Sequence, residues 1–263
     1  MITDYRSVCL AACDIAREAG EYIACERKRF TPADVELKGA RNLVSYVDKQ
    51  TEQMVVARLG ELLPDAGFVT EEGTVSADGA DRPLRWIVDP LDGTTNFVHD
   101  LSPYCVSLGL MDGDEIVAGV VYEVTRAEMF YAWRGSYAYL NGERIAVSTV
   151  DRLDDALVGI GFSYGVLKRS DGFVDSIVGF QNTTHGIRRL GSAAADLVYV
   201  ACGRFDAFYH AGLSPWDVAA GALIAQQAGA RVTDYAGGGD YVFGRQIIAA
   251  TPRIYDEFQP LVR

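Results

Sequence analysis

Residues 86–97 read Trp86-Ile87-Val88-Asp89-Pro90-Leu91-Asp92-Gly93-Thr94-Thr95-Asn96-Phe97. The apolar start of this stretch predicts a buried strand, and the strand ends in two carboxylates close together. Pro90 restricts the turn, and Gly93 permits a tight backbone path into a short helix start rich in hydroxyls. Two carboxylates held this close repel each other unless a cation lies between them, and Mg²⁺ prefers such oxygen ligands. The N–H groups of Gly93 and Thr94 can then bind a phosphate oxygen beside the cation.

Each acidic motif of the chain also has an ordinary structural explanation. Asp-rich turns are common, so Asp92 is equally well explained as the cap of the next helix. Glu71 and Glu72 follow a short apolar run, and they are either a solvated charge pair or, for Glu71, a third ligand. The segment Ser214-Pro215-Trp216-Asp217 follows the rules for a helix start, so a capping box explains Asp217 without a metal. The residues alone leave these alternatives open.

Composition narrows the class of protein. The chain has 263 residues, a formal net charge of −12 and 49% hydrophobic residues, which excludes disordered and fibrous proteins. A uniformly basic nucleic-acid binder is excluded as well, and a phosphorylated ligand needs local donors or bound cations. The apolar runs are too short for a membrane span, and residues 1–24 carry acids where a secretory signal has none. We therefore expect a cytoplasmic protein whose five cysteines are free thiols.

The periodicity predicts two halves with different architecture. An amphipathic helix at the N-terminus and a second helix over 47–63, which begins at Ser45 and Asp48, precede a run of strands. Strands over 86–88, 105–111, 116–122, 128–133 and 144–147 predict an antiparallel meander. The rest alternates: strands near Gly159 and over 186–189, 206–209 and 246–250, with helices over 171–180, 192–202 and 215–228. We expect an α+β protein with αβαβα layers, formed as a single fold over 1–263 with an α+β half (about 1–150) and an α/β half (about 151–263).

Three segments, taken in order, resemble a known family. Glu71-Glu72, the stretch 86–99 and the stretch 214–221 closely resemble the inositol monophosphatase family of Mg²⁺-dependent, lithium-sensitive phosphatases, and the resemblance covers about Lys38 to Ala250. It implies a layered sandwich of the inositol monophosphatase / fructose-bisphosphatase type. It also implies a phosphomonoesterase that hydrolyses inositol monophosphate by attack of a metal-activated water, with two or three Mg²⁺ ions as cofactor.

The resemblance assigns roles to individual positions. The positions that match metal ligands are Glu71, Asp89 and the Leu91 carbonyl for the first Mg²⁺, and Asp89, Asp92 and Asp217 for the second. Asp48 and Thr94 match the pair that orients and deprotonates the attacking water. The positions that match substrate contacts are the backbone of Gly93 and Thr94, the helix start Gly191, Ser192 and Ala193, and Asp217. Lys38 matches a basic residue near the metal site.

One position departs from the family pattern. His210 stands where inositol-phosphate phosphatases place a Glu that binds sugar hydroxyls. A neutral imidazole offers one donor and one acceptor, so it cannot accept two hydroxyl protons as a carboxylate does. We therefore treat His210 as a substrate contact that shifts preference away from plain inositol phosphates, with simple strand packing as the alternative.

Partners and substrates follow from the same resemblance. It implies a small phosphorylated alcohol as substrate and a homodimer in which Arg188 and Arg189 contribute to the interface, with no direct nucleic-acid or membrane contact. Fructose 1,6-bisphosphate, histidinol phosphate and adenosine 3′,5′-bisphosphate are alternative substrates for the same chemistry. A non-catalytic binding protein on this scaffold is the remaining alternative.

Overall fold

The structure is a computed structural model that describes residues 4–39, 42–74, 82–162 and 172–263. Its helices are α1 (Tyr5–Arg27), α2 (Tyr46–Leu62), α3 (Thr94–Val98), α4 (Phe173–Thr183), α5 (Ala193–Ala201), α6 (Pro215–Gln227) and α7 (Pro252–Phe258). Its strands are β1 (Val35–Gly39), β2 (Asn42–Ser45), β3 (Gly67–Thr70), β4 (Leu84–Asp92), β5 (Cys105–Asp112), β6 (Glu115–Glu123), β7 (Glu128–Trp133), β8 (Ala138–Leu140), β9 (Glu143–Ile145), β10 (Leu157–Phe162), β11 (Gly186–Arg188), β12 (Ala207–Ala211), β13 (Arg231–Thr233) and β14 (Gln246–Ala250).

The larger sheet contains the predicted antiparallel meander and two further strands, the parallel β3 and the short β8, which was not predicted. Its order is β3-β4-β5-β6-β7-β8-β9, with β3 parallel to β4 and every other pair antiparallel. Asn141 and Gly142 both have positive φ and join β8 to β9, as hairpin turns of this type require. The predicted strand over 144–147 is wrong at its end, because the Val147 N–H bonds to the Ala228 carbonyl at the end of α6 and the chain leaves the sheet.

The smaller sheet is mixed. Its order is β11-β10-β12-β14-β13, with β10 parallel to β11 and β12, and β14 antiparallel to both of its neighbours. The alternation along the C-terminal half predicted most of these elements, whereas the three-residue β13 and the short α7 carry too few residues to show a period. The chain passes from the larger sheet to the smaller one between Ile145 and Leu157, and the boundary near residue 150 stays a prediction.

The helices and sheets stack as five layers, which confirms the αβαβα architecture. Helices α1 and α2 cover the outer face of the larger sheet, α5 and α6 lie between the sheets, and α4 and α7 cover the smaller sheet. Because α5 meets a sheet on both sides, every one of its residues is buried. Helix α6 packs so closely on β6 that a Cβ at Gly119 would lie 2.7 Å from the Ala220 carbonyl oxygen. Among the described residues, no helix is both long and apolar enough to cross a membrane.

Candidate active site

A β-bulge at the end of β4 brings two carboxylates to one side of the sheet. In a regular strand, Asp89 and Asp92 would point to opposite faces, because side chains alternate. Asp89 pairs with Ser107 and Asp92 with Cys105, so three steps on β4 oppose two steps on β5. The extra residue reverses the alternation and turns Asp92 to the side of Asp89. Asp89 is 1% exposed and Asp92 is 8% exposed.

Asp217 joins this pair from the start of α6. Ser214 and Asp217 form the predicted capping box, in which the Ser214 N–H donates to Asp217 Oδ2 at 2.6 Å. Oxygen atoms of Asp89, Asp92 and Asp217 nevertheless all lie within 4.8 Å of one another. Asp217 therefore both caps α6 and belongs to the acidic cluster, because a single carboxylate makes both contacts.

Glu71 approaches from the end of β3. Its N–H donates to the Val88 carbonyl at 3.3 Å, which continues the β3–β4 pairing by one residue. Its carboxyl group hydrogen-bonds with Asp89, and Glu71 lines the same cavity as Asp92 and Asp217. All four predicted acids thus meet at one place.

The crowding of these acids is visible in their pKa values. Burial raises the pKa of Asp89 well above its usual range, and the charges of Glu71, Asp92 and Asp217 raise it further. Burial raises the pKa of Asp217 in the same way, with Asp92 as the next cause. Burial also raises the pKa of Asp92, to about 6, against hydrogen bonds that lower it. A buried set of oxygen donors whose charges repel fits a hard divalent cation, which removes the repulsion.

Helix α5 anchors Asp92 from the opposite side. Asp92 Oδ2 accepts hydrogen bonds from the Ser192 hydroxyl at 2.6 Å and from the Ala194 N–H at 2.7 Å. These two bonds favour the charged carboxylate and lower its pKa. Ser192 is 1% exposed, so this residue, which we expected at the substrate, holds a neighbouring acid in the structure.

The predicted pair Asp48 and Thr94 is in contact. The Thr94 hydroxyl donates to Asp48 Oδ1 at 2.9 Å and also lies 3.1 Å from the Leu91 carbonyl oxygen. Asp48 Oδ2 accepts from the N–H and the hydroxyl of Ser45, which caps α2 as predicted. Burial raises the pKa of Asp48, while its hydrogen bonds with Ser45 and Thr94 lower it.

The site opens into a cavity of about 440 Å³. The predicted substrate contacts that line it are Gly93, Thr94, Gly191, Ser192, Ala193, His210 and Asp217. Gly191 has φ +92°, and a Cβ there would lie 3.1 Å from Asn96 Oδ1. The Asn96 amide donates to the Leu190 and Pro103 carbonyls, which ties the start of α5 to α3.

His210 forms part of the far wall of this cavity. It lies on β12, is 9% exposed, and faces Gly161 on β10. A Cβ at Gly161 would lie 1.9 Å from His210 Cδ2, so the imidazole occupies the space that this glycine leaves. Burial lowers the pKa of His210 to about 3, so the ring is neutral. Among the described residues, Nδ1 has no hydrogen-bond partner.

Two polar residues at or near the site, Asp196 and Glu52, were missing from the sequence-based prediction. Asp196 on α5 is 2% exposed and lines the cavity. Arg189, which we predicted at a dimer interface, also lies at the cavity wall, where its guanidinium is 4.6 Å from the centre of the Phe162 ring. Glu52 on α2 is fully buried. Its spacing of four residues from Asp48 is the one signal that was available, since it places both acids on the same helix face. The side chain of Lys38 lies outside the described part of the structure.

Comparison with known proteins agrees with this geometry. The model of the inositol monophosphatase family matches residues 4–262. The Vibrio cholerae protein named Nus factor SuhB is 38% identical over 238 residues, 90% of this chain and 89% of that protein. The inositol-1-monophosphatase of Mesorhizobium japonicum is 39% identical over 235 residues, 89% of this chain and 88% of that protein. The crystal structure of extragenic suppressor protein suhB from Bartonella henselae has a TM-score of 0.91 at 36% identity and covers 98% of both chains. The chain therefore belongs to the inositol monophosphatase family and is a metal-dependent phosphatase.

Proposed function

We propose that this protein hydrolyses small phosphorylated alcohols with Mg²⁺ as cofactor. Inositol monophosphate is the first candidate for its substrate. One observation carries the proposal: carboxylates from β4 and α6, far apart in the chain, converge within 4.8 Å at the edge of a cavity. Such a buried cluster of like charges is unfavourable unless a cation or protons neutralise it, and the capping box of α6 accounts for Asp217 but not for the approach of Asp89 and Asp92.

Two sets of oxygen ligands share one residue in this proposal. Glu71, Asp89 and the Leu91 carbonyl would hold one Mg²⁺, and Asp89, Asp92 and Asp217 would hold another, within a proposed total of two or three ions. When bound, Mg²⁺ supplies positive charge that polarises phosphoryl oxygens and lowers the pKa of a water. The Ser192 and Ala194 donors hold one oxygen of Asp92, and the Leu91 N–H holds Asp89 Oδ1 at 3.0 Å, so the ligands are oriented in advance.

The attacking water is oriented by Thr94 and Asp48. Because the Thr94 hydroxyl gives its proton to Asp48 Oδ1, its lone pairs are free to accept a proton from a water. Burial makes Asp48 a better proton acceptor than an exposed aspartate. Asp48 thus takes the proton that the water loses, through Thr94 Oγ1.

The phosphate group is bound by main-chain donors. Gly93 and Thr94 offer N–H groups at the β4–α3 turn, and Gly191, Ser192 and Ala193 form the start of α5. The N–H groups of Ala194 and Ala195 bond to Asp92 and Ser192, which leaves the Ala193 N–H for the substrate. The positive end of α5 favours an anion at this place.

His210 selects the alcohol part of the substrate. Its neutral ring presents fewer acceptors than a carboxylate, so we expect weaker preference for a polyhydroxylated ring and faster relative turnover of other alcohols. A panel of inositol 1-phosphate, fructose 1,6-bisphosphate, histidinol phosphate and adenosine 3′,5′-bisphosphate tests this by phosphate release. His210→Glu raises the relative rate on inositol 1-phosphate, whereas His185→Glu at an exposed site leaves the ranking unchanged.

The same assay tests the proposal as a whole. We expect phosphate release that requires Mg²⁺ on at least one panel member. Absence of Mg²⁺-dependent release on every ester contradicts the proposed function, and equal relative rates for wild type and His210→Glu contradict the role of His210. Light scattering of the purified protein tests the proposed homodimer.

A second candidate function comes from the name Nus factor carried by the Vibrio cholerae relative. A chain with net charge −12 repels nucleic acid on average, which favours a protein partner over direct contact with nucleic acid for such a role. The two functions separate cleanly, because Asp89→Asn abolishes phosphate release and leaves a binding surface elsewhere unaffected.

A further inference from the structure

A second buried acid on α2 binds the segment that follows Glu71. Glu52 is 0% exposed and lies one helical turn after Asp48. Its Oε2 accepts from the Glu72 N–H at 2.7 Å. Its Oε1 accepts from both the N–H and the hydroxyl of Thr74, each at 2.7 Å.

These three bonds connect α2 to a segment that lies outside helices and strands. The strand β3 ends at Thr70, and residues 71–74 belong to no helix or strand. Within residues 67–74, the Glu71 N–H is the last that bonds to β4. The next N–H, that of Glu72, bonds to Glu52 instead. The main chain at Glu71 is thus bonded to the sheet on one side and to α2 on the other.

Burying a carboxylate costs free energy unless strong hydrogen bonds compensate. Glu52 meets this condition only through the backbone of residues 72 and 74 and the Thr74 hydroxyl, since these are the donors found for it among the described residues. Displacing residues 72–74 would leave the buried Glu52 carboxylate without these hydrogen bonds, so the contact stabilises both the segment and the side chain. These bonds therefore fix the position of the main chain beside Glu71 relative to α2.

We infer that Glu52 is a positioning residue that sets the Glu71 carboxyl group for metal binding through the backbone at Glu72. One face of α2 then positions two parts of the site. Asp48 contacts Thr94, and Glu52 binds the segment beside Glu71. This inference rests on the proposed function, because it takes Glu71 to be a metal ligand.

The variant Glu52→Gln tests the inference with little change of shape. Its amide keeps one acceptor oxygen and presents an NH₂ group to an N–H donor, which disrupts the bonds to the segment. We expect the Kd for Mg²⁺, measured by calorimetric titration without substrate, to rise about tenfold. The Mg²⁺ concentration for half-maximal phosphate release rises in parallel, while KM for the ester at saturating Mg²⁺ stays within about twofold.

Two further variants should change the Kd for Mg²⁺ by a smaller amount and not at all, respectively. Thr74→Val removes one of the three donors and keeps both N–H bonds, so it raises the Kd for Mg²⁺ by about threefold. Gln53→Ala changes the exposed neighbour of Glu52 on the same helix and leaves the Kd for Mg²⁺ at the wild-type value. If Glu52→Gln fails to fold, the comparison of Thr74→Val with Gln53→Ala decides alone, and equal Kd values for these two overturn the inference.

A double-mutant cycle separates positioning from general stability. If Glu52 acts through Glu71, Glu52→Gln adds little to the loss of Mg²⁺ affinity in Glu71→Gln. Additive losses, or a folded Glu52→Gln protein with wild-type Mg²⁺ affinity, overturn the role of Glu52. If Glu71→Gln itself binds Mg²⁺ as tightly as wild type, the metal assignment in the proposed function is wrong instead.

Discussion

Replacing Asp89 by Asn should make the metal-free protein more stable and the enzyme nearly inactive. At 4.8 Å, two unit charges repel by about 3–4 kcal/mol at an effective dielectric constant of about 20. Asp89 faces two such neighbours, Asp92 and Asp217, in addition to Glu71, and proton uptake by the wild-type cluster relieves part of the repulsion. We expect a net gain of about 1–3 kcal/mol in the free energy of unfolding without metal. For a chain of this size the gain corresponds to about 2–10 °C in Tm.

Two measurements on the Asp89→Asn protein check the expected gain in stability and the expected loss of activity. Differential scanning calorimetry in EDTA gives the Tm, and phosphate release at fixed Mg²⁺ should fall by at least about 10²-fold, because a shared ligand charge is lost. Asp206→Asn is the matched control: Asp206 is 7% exposed and accepts bonds from the Ser148 hydroxyl and the Leu157 N–H, away from the site. It should lower the Tm and leave the Mg²⁺ requirement unchanged. A lower metal-free Tm for Asp89→Asn, or near wild-type turnover, refutes the reasoning.

Two other substitutions probe the proton-transfer pair and the far wall. Thr94→Val keeps the side-chain shape but removes the hydroxyl that contacts Asp48, so kcat should fall by about 10²–10⁴-fold while calorimetric Mg²⁺ affinity stays within about twofold; a proportional loss of both contradicts the role. His210 has a pKa lowered from 6.5 to about 3, so its contribution to stability is complete above pH 6.5 and is lost as the pH falls towards 3. Between pH 7 and pH 5, the free energy of unfolding measured with urea should therefore fall by about 2 kcal/mol less in His210→Gln than in wild type. Identical pH dependence of the free energy of unfolding for wild type and His210→Gln contradicts the buried neutral imidazole.

Elements whose signals are local were predictable. Ser45 with Asp48 and Ser214 with Asp217 start helices in the structure as their spacing predicts, because a capping box joins residues three apart. The turn at Asn141 and Gly142 was predictable for the same reason, since its backbone conformation suits those two residues.

The grouping of the acids needed the family resemblance, since spacing alone gave each motif an ordinary alternative. The β4 bulge shows why: it depends on how β4 pairs with β5, and no pattern within β4 reveals an extra residue. Asp92 meets Ser192 across 100 residues of sequence, and Glu52 meets Glu72 across 20. Neither contact leaves a periodicity.

Short-range rules thus account for where helices, strands and turns begin and which residues carry oxygen ligands. The assembly of those ligands arises from the stacking of five layers, which brings β4, α2, α5 and α6 to one cavity. The physical reason is that backbone capping and turn energies act over a few residues, whereas the charges that repel at this site are held together by packing distributed over the whole chain.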